Sequence, residues 1–273
     1  MVSAGKWLGV VGAPLAFRRS CWQSAGTLLP LFRGEGWRAW SWLPIAVLVG
    51  ALPVALSAPF GTNLHQPITA LLLFALFLSA LRSERVGVCV AVVGVVYAAH
   101  SAVAIGLAAA YPELMDPCLP GGADYWGLQE RWIRTGVNDE YLVSNWLPFH
   151  LQLLVAVVIL GYLSLGMIVF YQGFYEVDLM NFYVGQLLAH SESAPVALAL
   201  GWHPWSLTRG IGYSLLALVV AQASLSRLSG VRLGTPRQKR WLWGLGLGFF
   251  ALDCLLKLTV LDGVRAGLAA NLR

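Results

Sequence analysis

The chain has 273 residues, of which 58% are hydrophobic and only 11% charged, where soluble domains carry about a quarter of their residues as charged side chains. That balance excludes an ordinary soluble enzyme, since no polar stretch is long enough to build an independent soluble core. The net charge of +5 does not indicate nucleic acid, because the basic residues lie in short runs beside apolar segments, as in cytoplasmic loops that face anionic lipid.

Residues 1–40 read as a cytoplasmic or interfacial segment. Lys6 and the apolar stretch 7–17 have the outline of a signal peptide, but Arg18 and Arg19 stand where a small-residue cleavage site belongs, so the segment is expected to be retained. Trp22, Ala25, Leu29 and Phe32 then recur at helical spacing, with Arg18, Arg19, Gln23 and Ser24 on other faces. This pattern predicts an amphipathic helix lying in the membrane interface.

Residues 41–273 read as one polytopic membrane domain. A spanning helix needs roughly 17–25 mainly apolar residues, and the stretches 42–60, 67–81, 86–111, 146–171 and 241–261 meet this, with 211–225 as a sixth. The expected fold class is an all-α integral membrane protein with about six transmembrane helices.

Loop charge sets the expected orientation. Lys6, Arg18, Arg19, Arg33 and Arg38, and the turn Arg82-Ser83-Glu84-Arg85, belong in the cytoplasm. The 112–145 connection then lies outside, with Glu113, Asp116, Asp124, Glu130, Asp139 and Glu140 against Arg131 and Arg134. Plain alternation would put Arg227, Arg232, Arg237, Lys239 and Arg240 outside as well, against the charge rule. A re-entrant or broken segment near 195–209, marked by Pro195, Gly201, Pro204 and Gly210, removes that conflict. Six plain crossings with a positive external loop are the alternative.

Candidate functional residues are the polar side chains inside apolar runs, which are costly in lipid and normally face protein or water. Glu176 and Asp178 interrupt an aromatic-rich stretch that is expected to continue the fourth helix into the cytoplasm, where Glu176 could meet Arg209. His203, framed by Trp202, Pro204 and Trp205, sits in the expected break, a place where unpaired backbone could meet a ligand or form an interfacial turn. Asp253 and Lys257 are four apart on one helix, the spacing of a helical ion pair; they read as a self-neutralised pair or as a relay. Gly244 and Gly248 form a GxxxG face for helix association.

Spacing supplies no cofactor. The histidines at 65, 100, 150, 190 and 203 show no HExxH pattern, and no cysteine lies close enough to supplement them. GxSxG and P-loop motifs are also missing. No catalytic or metal residue is therefore assigned. The expected function is a multi-pass membrane subunit, a permease or an assembly component of a larger complex, in a bacterial inner membrane with its N-terminus cytoplasmic. Its expected partners are the bilayer and other membrane subunits or a second copy. The alternative is a membrane redox, metal or haem enzyme subunit using His100, His150 or His203.

Overall fold

The computed structural model describes residues 42–82, 86–229 and 234–273; the predicted amphipathic helix lies outside the described residues. The described chain is helical. Its long helices are α1 (Leu43–Ser57), α2 (His65–Arg82) and α3 (Val86–Ala110), then α6 (Val143–Ser164), α7 (Met167–His190), α9 (Pro204–Ser229) and α10 (Pro236–Thr259). The shorter ones are α4 (Pro112–Met115), α5 (Gly122–Thr135), α8 (Ala194–Gly201) and α11 (Leu261–Ala269).

Among the described residues 5 helices are long and apolar enough to cross a membrane: α1 with its 3-10 extension, α3, α6, α9 and α10. Large apolar side chains such as Leu48, Leu56, Ile159, Leu163 and Leu258 point outward on them. Membrane helices present such a surface, because lipid tails are as apolar as leucine. Of these five helices, α9 is the most buried and α6 the least.

Hydrogen bonds sort the helix ends into two groups. At one end the Cys118 thiol lies 3.7 Å from the Ser57 carbonyl, Gln186 donates to the Ala108 carbonyl, the Arg273 amide donates to the His190 carbonyl, and Arg134 donates to the Arg273 carbonyl. At the other end Ser224 donates to the Tyr162 carbonyl, and Gly166 lies against Ala221. The acids of 112–142, with Glu192 and Asp262, gather at the first end, where α4, α5, α8 and α11 form a cap; Arg227, Arg237, Lys239 and Arg240 gather at the second.

Two sequence expectations are corrected. The fourth apolar run is not one helix: α6 stops at Ser164, Leu165 (φ 60) and Gly166 (φ 95) both turn left-handed, and α7 runs back towards the acidic end. Glycine adopts that conformation without steric cost, and apolar sequence on both sides hides the reversal from hydropathy. The stretch around Glu176 and Asp178 is thus part of a 24-residue helix packed on α2, α3 and α5, not a cytoplasmic platform. The second correction concerns 195–209. A break is present at Trp202 and His203, but α8 lies in the cap against α11, and α9 leaves the break as a single 26-residue helix. With α7 running between the two ends, no re-entrant element is needed to bring Arg227 to the basic end.

Candidate functional site

The most concentrated polar cluster lies where α2, α3 and α7 meet. Gly61, with φ +58 beside Pro117, turns the chain back into the bundle, so that α2 starts level with the middle of α3 and α7. His65 and Gln66, in the first turn of α2, thereby reach Asp178. The His65 Nε2 lies 2.9 Å from Asp178 Oδ2, the Gln66 amide donates to the same oxygen at 2.8 Å, and the His100 Nε2 lies 2.6 Å from Oδ1. Asn181, one turn on, donates to Oδ1 at 3.3 Å.

The two imidazoles stack with centroids 5.5 Å apart, and Phe174 packs against His100. All five polar residues of the cluster are buried. The first turn of α2 carries no acid, so its positive end adds to the two imidazoles in holding the carboxylate charge. Close packing fixes the walls: Gly50 of α1 lies directly on the backbone of Val96 and His100, and Gly185 of α7 on that of Ile105 and Ala109.

A second cluster joins α6, α9 and α10. Arg209 donates to His150 Nε2 and contacts Ser206 Oγ at 3.4 Å. Because Nε2 accepts, the proton of a neutral His150 sits on Nδ1, which faces Asp253 Oδ2 at 3.4 Å. Arg209, His150 and Asp253 thus form a chain across three helices. Lys257 does not meet Asp253 within ion-pair distance; its Nζ lies 5.0 Å from the Tyr141 ring centroid and 5.1 Å from that of Trp146. The expected helical ion pair is therefore replaced by an acid that faces a histidine at 3.4 Å and a cation held by two aromatic faces.

His203 is a third element. It sits in the cap, its Nε2 3.1 Å from the Tyr183 hydroxyl, stacked on Trp205 and edge-on to Trp132. Burial pushes its imidazole down to about 3, with Lys257 and Arg209 adding to the effect. A ring held neutral among aromatics serves packing better than proton transfer near pH 7.

Between α3, α6, α7, α8 and α9 lies a cleft of about 800 Å³. Its lips include Val90, Leu198, Leu207 and Ile211, all exposed. Into this apolar space project Gln172, Glu176 and Arg209. Glu176 accepts from Gln172 at 2.9 Å, and among the described residues neither it nor Arg209 has an oppositely charged side chain within ion-pair distance. The expected Glu176–Arg209 bridge is not formed, although both charges face one space.

Sequence reading thus named Glu176, Asp178, His203, Arg209, Asp253 and Lys257: Asp178 joins the histidine cluster, Arg209, Asp253 and Lys257 the second, His203 the cap, and Glu176 the cleft that Arg209 also lines. It missed His65, Gln66 and Asn181. One signal was available: an HQP triplet opening an apolar segment puts two polar side chains at a helix start inside the membrane domain. The three histidines considered together in the alternative reading, His100, His150 and His203, are kept apart by the fold. No known family model, curated protein or solved structure matches the chain significantly.

Proposed function

We propose that the protein is a permease-type membrane subunit whose lateral cleft binds a zwitterionic amphiphile. The observation that carries this is the cleft of about 800 Å³ that holds Glu176 and Arg209 among apolar walls, neither with an oppositely charged partner among the described residues. Unpaired charge in such surroundings is expensive, and a headgroup carrying an anion for Arg209 and a cation for Glu176 would neutralise both. An acyl chain would lie along Leu207 and Ile211 towards the exposed flank.

In this reading α2 and α7 also cross the bilayer. Together with the five apolar helices they make seven crossings, with the basic end cytoplasmic and the acidic cap outside. A bacterial inner membrane suits that orientation.

The test is binding of phosphatidylethanolamine and phosphatidylglycerol to purified protein in nanodiscs. The expected outcome is that R209Q weakens both lipids about tenfold, the loss of one charge-assisted contact, whereas E176Q weakens only the amine-bearing lipid. Equal binding of both lipids to all three proteins would overturn the proposal.

A second reading, an assembly component, rests on Gly244 and Gly248. They face away from α9, with no atom of the described residues within 4 Å of a Cβ built at either, while Gly246 makes the close contact with Gly212. A small-residue face directed outward suits a partner helix. Cross-linking between cysteines placed at 244 in two copies would support a homo-oligomer, and its absence at every concentration would remove that form of the reading.

A further inference from the structure

We infer that His65, His100 and Asp178 form a binding site for a divalent transition-metal ion of the zinc type, distinct from the cleft. Three helices bring one ligand atom each to a common point, all within 4.8 Å of one another. Two imidazoles and a carboxylate are the protein ligands of a catalytic zinc site, which keeps a fourth position open. The His100 and His65 nitrogens lie 2.6 and 2.9 Å from opposite oxygens of the carboxylate, and these separations need to open by about 0.4–1.0 Å to admit an ion bound at about 2.0–2.2 Å in tetrahedral geometry. Gln66 stands ready as an outer partner or fourth ligand, since turning its amide over would place the carbonyl oxygen where the nitrogen now meets Asp178.

A second, independent observation points to a missing guest. Four buried polar atoms around the cluster have no hydrogen-bond partner among the described residues: His65 Nδ1, His100 Nδ1, Thr69 Oγ1 and Asn181 Oδ1. Buried polar groups are nearly always satisfied, and unmet capacity on this scale leaves room for further polar ligands, water included, around the site. Bound to the ion through Nε2, each histidine carries its proton on Nδ1, and a water in the open position supplies a donor for Asn181. The Thr69 hydroxyl, one turn after His65 on the same helix, is available to the His65 Nδ1 proton, the outer contact that usually orients a metal-bound imidazole. Asp178 then neutralises half the ionic charge. Among the described residues no lysine or arginine takes part in the cluster, and the carboxylate is met there by imidazoles and amides, an arrangement that favours a cation.

Asp178 and Glu176 stand two residues apart on α7 and so point to nearly opposite sides. One serves the cluster and the other the cleft, so failure of the lipid reading leaves all the proposed metal ligands in place, and the two readings are tested separately.

The test uses the full chain in detergent, stripped with chelator and titrated with Co2+, read by visible d–d absorption and by metal analysis after gel filtration. The expected result is a single equivalent with a four-coordinate spectrum. It should be lost in H100A and D178N, kept in H190A, and displaced by Zn2+. H65C guards against mere unfolding: it should still bind Co2+ and add a thiolate-to-metal charge-transfer band in the near ultraviolet. The inference is overturned if stripped wild-type protein takes up no stoichiometric metal, or if H65C binds without the new band.

Discussion

Gly50→Ala tests whether the contact between α1 and α3 holds the histidine cluster in place. A Cβ on Gly50 would collide with the Val96 carbonyl oxygen and lie 2.9 Å from Ala99 Cβ and 3.0 Å from the His100 amide nitrogen. Two of these are backbone atoms that no rotamer change can move. Carbon contacts are comfortable only at about 3.5–4.0 Å, so the helices must part by about 1 Å, a gap that forfeits a quarter to a half of each contact's attraction. Overpacking of this kind costs roughly 1–3 kcal/mol, and the better helix propensity of alanine returns at most about 1 kcal/mol. A net loss of about 1–2 kcal/mol lowers the melting temperature by about 2–8 °C for a chain of this size. Gly106→Ala on α3, where nothing lies within 4 Å of the added carbon, is the control and should be neutral or slightly stabilising. The assay is near-ultraviolet circular dichroism during heating in one detergent, paired with Co2+ titration, since displacing His100 should weaken binding about tenfold or more. If G50A melts with G106A and binds metal as wild type does, the packing of α1 on α3 is not as described.

Further outcomes follow from the other elements. In a cysteine-free background, E192C should label with an impermeant reagent only from outside and T235C only from the cytoplasm, since α9 separates them; labelling of both from one side would restore the re-entrant reading. D253N removes the buried carboxylate that faces His150 at 3.4 Å and should cost about 1–3 kcal/mol. Adding K257M should restore part of that in detergent unfolding, whereas an unchanged loss would mean that Lys257 is already neutralised by its aromatic neighbours. His203, held down at about 3, takes up protons more readily in the unfolded chain, whose histidines titrate near 6.5. Its contribution is fully present above that value and is lost as pH falls from about 6.5 to 3, with a slope of up to about 1.4 kcal/mol per pH unit. H203Q should flatten the acid limb of the stability profile, and an unaltered limb would show that His203 is not the group responsible.

The membrane class was readable because lipid imposes one local rule on every span: continuous apolar sequence of sufficient length. Loop charge was equally legible, and Arg227, Arg237 and Lys239 do gather at the end opposite the acidic cap. What failed was punctuation and partnership. The reversal at Leu165 and Gly166 has no proline and no polar run, so Val158 through Phe170 reads as unbroken helix. The conflict that this created downstream was then assigned to 195–209, where prolines and glycines are conspicuous but serve a cap. Partners were harder still. The spacing of Asp253 and Lys257 suggested that they satisfy each other, yet His150, Tyr141 and Trp146 claim them from other helices. Nothing local in the sequence pairs His65 with Asp178, 113 positions away.

α7 explains why the polar residues of this chain are tolerable and how its two sites relate. Of the helices running between the two ends, it alone carries two acids two positions apart, and it is too polar to count among the helices that could face lipid on composition alone. It survives because its neighbours cover it: α2 and α3 enclose Asp178, and the cleft receives Glu176. The two carboxylates, on opposite faces of one rigid rod, cannot be displaced independently. A rotation of α7 that drew Glu176 towards a bound headgroup would carry Asp178 away from His65 and His100, and a metal ion gripping Asp178 would resist that rotation. Binding in the cleft and at the cluster should therefore be linked, with the same factor in both directions. Phosphatidylethanolamine should shift the apparent Co2+ affinity by the factor that Co2+ shifts lipid affinity, and E176Q, which weakens that lipid, should abolish the shift while leaving Co2+ affinity in the absence of lipid unchanged.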